Sequence, residues 1–328
     1  MSIFGSLRKA GINHHNGALY IKHQLIPQDG LAQPMGKGNM FFVDAANGSD
    51  TNNGRSPSKA FATIAVGYAA LTADQHDTLY LISTGTTFTI TSTLTWAKSY
   101  THLIGIGAPA PNSRARITIS ATATAIAALA ITGSGCVFAN FKVSQETSLA
   151  GCGAVSVTGG RNYFYNVCIQ GMIGALAKVS ATAYSLFLND AEENRFERCE
   201  IGQDTVVRTE GAVLRLDGSS RRNEFIDCLF KSACETVAKS LVKFVDTAAL
   251  DRYMLFRGCT FYNFYTNHGA KLNECFTVPA SATTHDIILQ DCWLIGITEW
   301  ESGDRGQIFV GTGTAAAATA GVMIAPAV

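Results

Sequence analysis

Apolar residues fall in short clusters of strand length separated by polar turns, and the clusters themselves repeat. Six of them share a frame: VFANF (137–141), FYNVCI (164–169), RFERCEI (195–201), EFIDCLF (224–230), LFRGCTF (255–261) and ILQDCWL (288–294). Taking Phe141, Cys168, Cys199, Cys228, Cys259 and Cys292 as the common inward position gives steps of 27, 31, 29, 31 and 33 residues. None of the clusters continues at the i, i+3, i+4, i+7 spacing of a helix, so each reads as a strand. A second apolar run lies upstream of each of the last five: 154–157, 185–188, 213–216, 241–245 and 275–278. A polar turn joins each run to its cluster, as in LNDAEEN or LDGSSRRN. A unit of about 30 residues with this make-up cannot bury its own apolar face, so successive units must stack coil on coil. The pattern predicts an all-β fold, a single-stranded right-handed parallel β-helix, with Phe, Cys and Leu in interior ladders. Asn162, Asn194 and Asn223, each two residues before a cluster phenylalanine, predict a stacked asparagine ladder in the turns.

The remaining chain divides around this repeat. Residues 1–39 carry His14, His15 and His23, two prolines and one alternating stretch, ALYIKHQLI, and read as an N-terminal arm held by contact with the body or a partner. Its histidines match no standard metal spacing. Residues 40–77 supply an opening strand (Met40 to Val43), a turn rich in Asn, Gly and Asp, and an amphipathic series, Phe61, Ile64, Tyr68 and Leu71. That series predicts a short N-terminal helix capping the open end of the stack, which would otherwise template aggregation. Residues 78–300 form the coils. Residues 301–328 comprise a C-terminal strand and an Ala- and Gly-rich tail without charge after Arg305, expected to pack on the last coil or another subunit.

Composition narrows the function classes. Charged residues are 15% and the formal net charge is zero. No basic block offers electrostatic attraction to nucleic acid or an anionic membrane, so neither is an expected partner. Nine cysteines without a CxxC pair, most of them on the repeat register, read as buried thiols rather than bridges or metal ligands. No signal-peptide core or membrane-length apolar run is present, which predicts a chain made in the cytoplasm.

The opening VDAANGSDTNNGRSPSKAFATI (43–64) resembles that of the right-handed parallel β-helix, or pectin-lyase-like, superfamily, of the kind found in tailed-bacteriophage virion proteins. The resemblance implies the fold and says little about activity. Its DTNNG lacks the ligand series of a calcium loop and reads as turn scaffold.

Catalytic β-helices make an enzyme a serious alternative. Glycoside hydrolysis needs two carboxyl groups about 5–9.5 Å apart, a spacing that strands of adjacent coils can supply. Asp190, Asp217 and Asp246 end the upstream run of three successive units and are the candidates if the protein is an enzyme; Glu197, Glu200 and Asp227 form a second group. The plainer reading is that these acids accept backbone hydrogen bonds in turns, with Arg221, Arg222 and Arg252 neutralising the row. Trp293, Trp300, Tyr262, Phe264 and Tyr265 could form a sugar platform or an interface, with core and interface preferred.

These observations together predict a non-enzymatic bacteriophage virion structural protein, a capsid decoration, cement or fibre-type subunit. It would form a homotrimer and bind a capsid or other virion protein through the arm, with no cofactor and no metal. The alternatives are a tailspike-like polysaccharide depolymerase, as glycoside hydrolase or lyase, and a carbohydrate-binding β-helix.

Overall fold

A computed structural model describes residues 38–328 except 108–114, 121, 125, 251, 265–270, 280–285, 302–307, 312–321 and 324–328, together with the backbone of three short strands within 1–37. Those strands, Ile12–His15, Ala18–Ile21 and Gln24–Ile26, pair antiparallel, so the stretch expected to hold one strand holds a hairpin and half of another. They belong to a separate compact unit, Met1–Gly38; the second unit runs from Asn39 to Val328.

The second unit is a right-handed parallel β-helix. Its described residues form an 11-stranded, an eight-stranded and a seven-stranded sheet, here A, B and C. One coil shows the path. Tyr163–Tyr165 lies in sheet A, Cys168–Gln170 in sheet B and Tyr184–Asn189 in sheet C, after which Arg195–Glu197 returns to sheet A one step along the axis. The Phe-x-x-Cys cluster therefore spans two strands rather than one, Phe on sheet A and Cys at the corner into sheet B.

That corner is made by a single left-handed residue in six successive coils. Asn140, Asn166, Arg198, Asp227, Gly258 and Asp291 all have φ between 50 and 63°. Such a conformation costs a non-glycine residue about 1–2 kcal/mol. It turns the corner in one step while the backbone N–H still bonds the next coil, as Asn166 N does to Glu197 O at 2.9 Å and Asp227 N to Arg257 O at 2.8 Å.

Aromatic rings fill the sheet A side of the interior. Phe138, Phe164, Phe196, Phe225 and Phe256 occupy one register position. Their ring centroids are 4.9, 4.3, 4.8 and 5.0 Å apart along the row. The interior residue three places on is Phe141, then Val167, Cys199, Cys228, Cys259 and Cys292. Cys168 pairs instead with Lys142 and Glu200, so it stands one position outside the ladder the sequence assigned it to. All nine cysteines are free, eight of them buried and Cys292 half-buried.

The asparagine ladder forms at the corner from sheet C to sheet A. Asn162 N donates to Asn194 Oδ1 and Asn194 N to Asn223 Oδ1, at 3.0 and 2.9 Å, and each side-chain amide also donates to a carbonyl of the preceding turn. All three residues are fully buried.

The N-terminal end is closed as the apolar series predicts. The helix Ile64–Ala70 starts at Thr63, whose Oγ1 accepts from Val66 N, and packs Gly67 against Val43 and Leu79, where a Cβ would come within 2.7 Å of both side chains. Lys98 Nζ closes its other end by donating to the carbonyls of Tyr68, Ala69 and Leu71, where a cation complements the helix dipole. Asp50, in the DTNNG turn, ties the turn to the helix start: Oδ1 accepts from Ala62 N and Thr63 N, and Oδ2 from Thr63 Oγ1. At the other end Ile308–Gly311 extends sheet A and Val322–Met323 pairs back on it antiparallel; the rest of the tail lies outside the described residues.

Candidate functional site

The three first-choice acids sit where sheet C ends, but they do not share a row. Leu188, Leu216 and Phe244 stack inward at one register, so Asp217 lies opposite Asn189, while Asp190 and Asp246 each fall one residue further on. Adjacent coils thus carry no two of these acids at one register position.

Each carboxylate has a local task instead. Asp190, itself in a left-handed corner, accepts at Oδ1 from Ser219 N at 2.9 Å. The carboxylate occupies the space beside Gly218 (φ 54°), where a Cβ would meet Asp190 Oδ1 at 2.3 Å. Asp217 accepts from Gly218 N at 3.1 Å and faces Arg215 at 3.4 Å. Asp246 accepts from Ala249 N at 3.2 Å in the following turn. Arg221 and Arg222 both pair with Glu192, Arg222 also with Glu193, and Glu193 in turn with Arg161. Arg161, and after it Arg222, hold the Glu193 carboxyl below its usual range.

The second acidic group is divided between two faces. Glu197 accepts from Arg195 and from the Tyr163 hydroxyl, whose pKa burial and Glu197 push up to about 12. Glu200 pairs with Lys231 on sheet B; burial lowers the lysine's pKa, but the hydrogen bond and charge of Glu200 together with the charge of Asp204 outweigh it and the net shift is upward. Asp227 forms one of the left-handed corners.

The outward column of sheet C beside these acids runs Ser156, Phe187, Arg215, Lys243, Thr277. Arg215 lies 4.7 Å over the Phe187 ring and donates to Thr182 O. An open pocket of about 470 Å³ lies elsewhere, at the N-terminal end between the helix start and residues 87–94. It is lined by Ala, Thr, Ser, Ile, Phe and Leu, none of which can transfer a proton near neutral pH. Among the described residues no cluster of three or more His, Cys, Asp or Glu could hold a metal ion, and no helix is long and apolar enough to cross a membrane.

The aromatic group separates as well. Trp300 packs 5.6 Å from Phe261 and 6.1 Å from Phe276, against the core, whereas Trp293 is 70% exposed on the last strand of sheet B. Tyr262 and Phe264 are 6.4 Å apart, and Tyr265 lies outside the described residues.

Arg208 gave no signal in the sequence. Fully buried, it donates from Nε to Ser232 Oγ, from Nη1 to the carbonyls of Glu210 and Gly211, and from Nη2 to Ser240 O. It joins the long strand Glu200–Arg208 to the following return and the next coil.

No protein-family model and no curated protein matches the chain. Solved structures do. A pectate lyase is 15% identical with a TM-score of 0.55, covering 79% of this chain and 64% of the enzyme. A rhamnogalacturonan lyase is 13% identical with a TM-score of 0.55, covering 78% and 68%. A pectin methylesterase from Aspergillus niger is 13% identical with a TM-score of 0.51, covering 85% and 91%. The chain has the parallel β-helix fold of these enzymes, and at such identities the likeness extends to fold alone.

Proposed function

We propose that this protein is a non-enzymatic structural β-helix, a decoration, cement or fibre-type subunit of a bacteriophage virion that attaches through residues 1–39. The observation that carries the reading is the use of the acids. Asp217 falls one residue out of register with Asp190 and Asp246, and each of the three carboxylates accepts a backbone hydrogen bond in a turn, as scaffold acids do. The compact N-terminal unit, separate from the coils, supports attachment through that end. The resemblance of residues 43–64 to virion β-helices supports the setting, and assembly as a homotrimer belongs to the same reading.

Co-sedimentation of the purified chain with particles lacking it tests the proposal. The full chain is expected to bind, a version without residues 1–38 is expected to stay folded and unbound, and neither should cleave any member of a polysaccharide panel. Binding that survives the deletion would overturn attachment through the arm. Polysaccharide cleavage that disappears in Asp217→Asn or Asp246→Asn, with an unchanged melting temperature, would establish the depolymerase instead.

A further inference from the structure

The interior ladder ends in four cysteines. Cys199, Cys228, Cys259 and Cys292 occupy the same position in four successive coils, three residues beyond the stacked Phe196, Phe225, Phe256 and Leu289. Their thiols lie 3.6, 3.4, 3.3 and 3.4 Å from the carbonyl oxygens of Phe164, Phe196, Phe225 and Phe256, one coil back. Three are buried; Cys292, at the end, is half-buried.

The stacking distance decides what such a row can hold. Neighbouring strands lie about 4.8 Å apart, and side chains at one register of a parallel pair point the same way. Their Cβ atoms are therefore separated by more than the roughly 3.5–4.5 Å that a disulfide spans. Two metal–thiolate bonds of about 2.3 Å placed end to end span about 4.6 Å, which fits. Zinc would ask for four ligands, and no cluster of three is present among the described residues. A soft cation content with two thiolates is the remaining match.

We propose that Cys259 and Cys292 form a two-coordinate site for a thiophilic d10 cation, entered from the half-buried Cys292. Binding replaces two S–H bonds by two S–metal bonds and releases two protons. With a divalent ion such as Hg(II) the product is neutral, whereas a monovalent ion leaves one negative charge in an apolar interior, where net charge is costly. The divalent ion is therefore favoured.

The test is titration of the full chain with mercuric chloride up to one equivalent, following the thiolate-to-metal absorption band and the protons released. One ion per chain and two protons per ion are expected, with a raised melting temperature. Val167 fills this ladder position in an earlier coil, so valine is a substitution the interior accepts. Cys292→Val and Cys259→Val should each weaken binding by about 100-fold or more, the advantage of a second tethered ligand, and release one proton per ion. Cys228→Val should bind as the unaltered chain does. One proton per ion in the unaltered chain would mean capping of a single thiol and would overturn the site. Equal loss in Cys228→Val would overturn the assignment to the outer pair.

Discussion

Replacing Asn194 isolates what the turn ladder contributes. Its Oδ1 accepts from Asn162 N at 3.0 Å, and its Nδ2 donates to Gly159 O and Asn223 Oδ1, both at 3.2 Å. The site is fully buried, so water cannot replace these bonds. Asn194→Ala strips Asn162 N–H and Gly159 C=O of this partner. At about 1–3 kcal/mol for each group left unsatisfied, the loss is about 2–6 kcal/mol. Asn194→Asp provides a sharper test because it keeps the acceptor for Asn162 N–H while turning the donor edge into oxygen facing two oxygens. At pH 7 it should be worse than Asn194→Ala, since a buried charge is added to the lost bonds. The folded state raises that carboxyl's pKa, so the penalty is fully present above the folded value. It shrinks as pH falls toward the unfolded value of about 4, where both states carry the proton. Urea unfolding followed by circular dichroism at pH 7 and near pH 4.5 measures both effects. A loss under about 1 kcal/mol for Asn194→Ala, or an Asn194→Asp penalty that does not ease with acid, would refute the claim that the side-chain amides hold the coils together.

Three further outcomes follow from the packing. Phe225 stacks between Phe196 and Phe256 and meets the edge of Phe230 at 5.4 Å; Phe225→Ala should lower unfolding stability by about 3–5 kcal/mol, read from a denaturant midpoint. His102 is held neutral in the fold, its pKa lowered from 6.5 to about 3 by burial and then by His76, while its Nδ1 accepts from Val137 N. Its contribution is intact above about pH 6.5 and is lost as pH falls toward 3, at about 1.4 kcal/mol per pH unit. His102→Asn, which can keep the acceptor, should flatten the acid limb of a stability–pH curve by close to one proton. Removing the Arg208 guanidinium leaves Ser232 Oγ and three carbonyls without their donor. Arg208→Met should cost at least about 3 kcal/mol and speed proteolysis between residues 203 and 211, with Arg208→Lys recovering only part.

The aromatic ladder was legible because a large residue recurs at one interior position, and packing tolerates little else there. The left-handed corner beside it was not, since Asn, Arg, Asp and Gly share no side-chain chemistry. What they share is a place where the backbone bonds to the next coil, and that exists only once the coils are stacked. For the same reason one Phe-x-x-Cys cluster read as one strand, although the residue between Phe and Cys bends the chain out of sheet A. Arg208 escaped notice because its acceptors are mostly backbone carbonyls, which no residue pattern records.

The acidic row shows how register must be read. Aligned by their acids, Asp190, Asp217 and Asp246 form a column; aligned by Leu188, Leu216 and Phe244, they do not. The interior residues decide, because a slip of one position would turn those three side chains from core to solvent and bring their outward neighbours in. Burying a leucine or phenylalanine stabilises by about 1.5–3 kcal/mol, and one slipped strand forfeits several such burials at once. A turn carboxylate gains about 1 kcal/mol from a backbone N–H, too little to pull a strand out of step. Cys168 follows the same rule: Phe164 fixes its coil against Phe138 and Phe196, which places Val167 in the ladder and leaves the cysteine on the other face. Outward residues of a β-helix, the ones available for binding or chemistry, therefore take their positions from the interior ladders, and a candidate site in such a chain is found by aligning what is buried first.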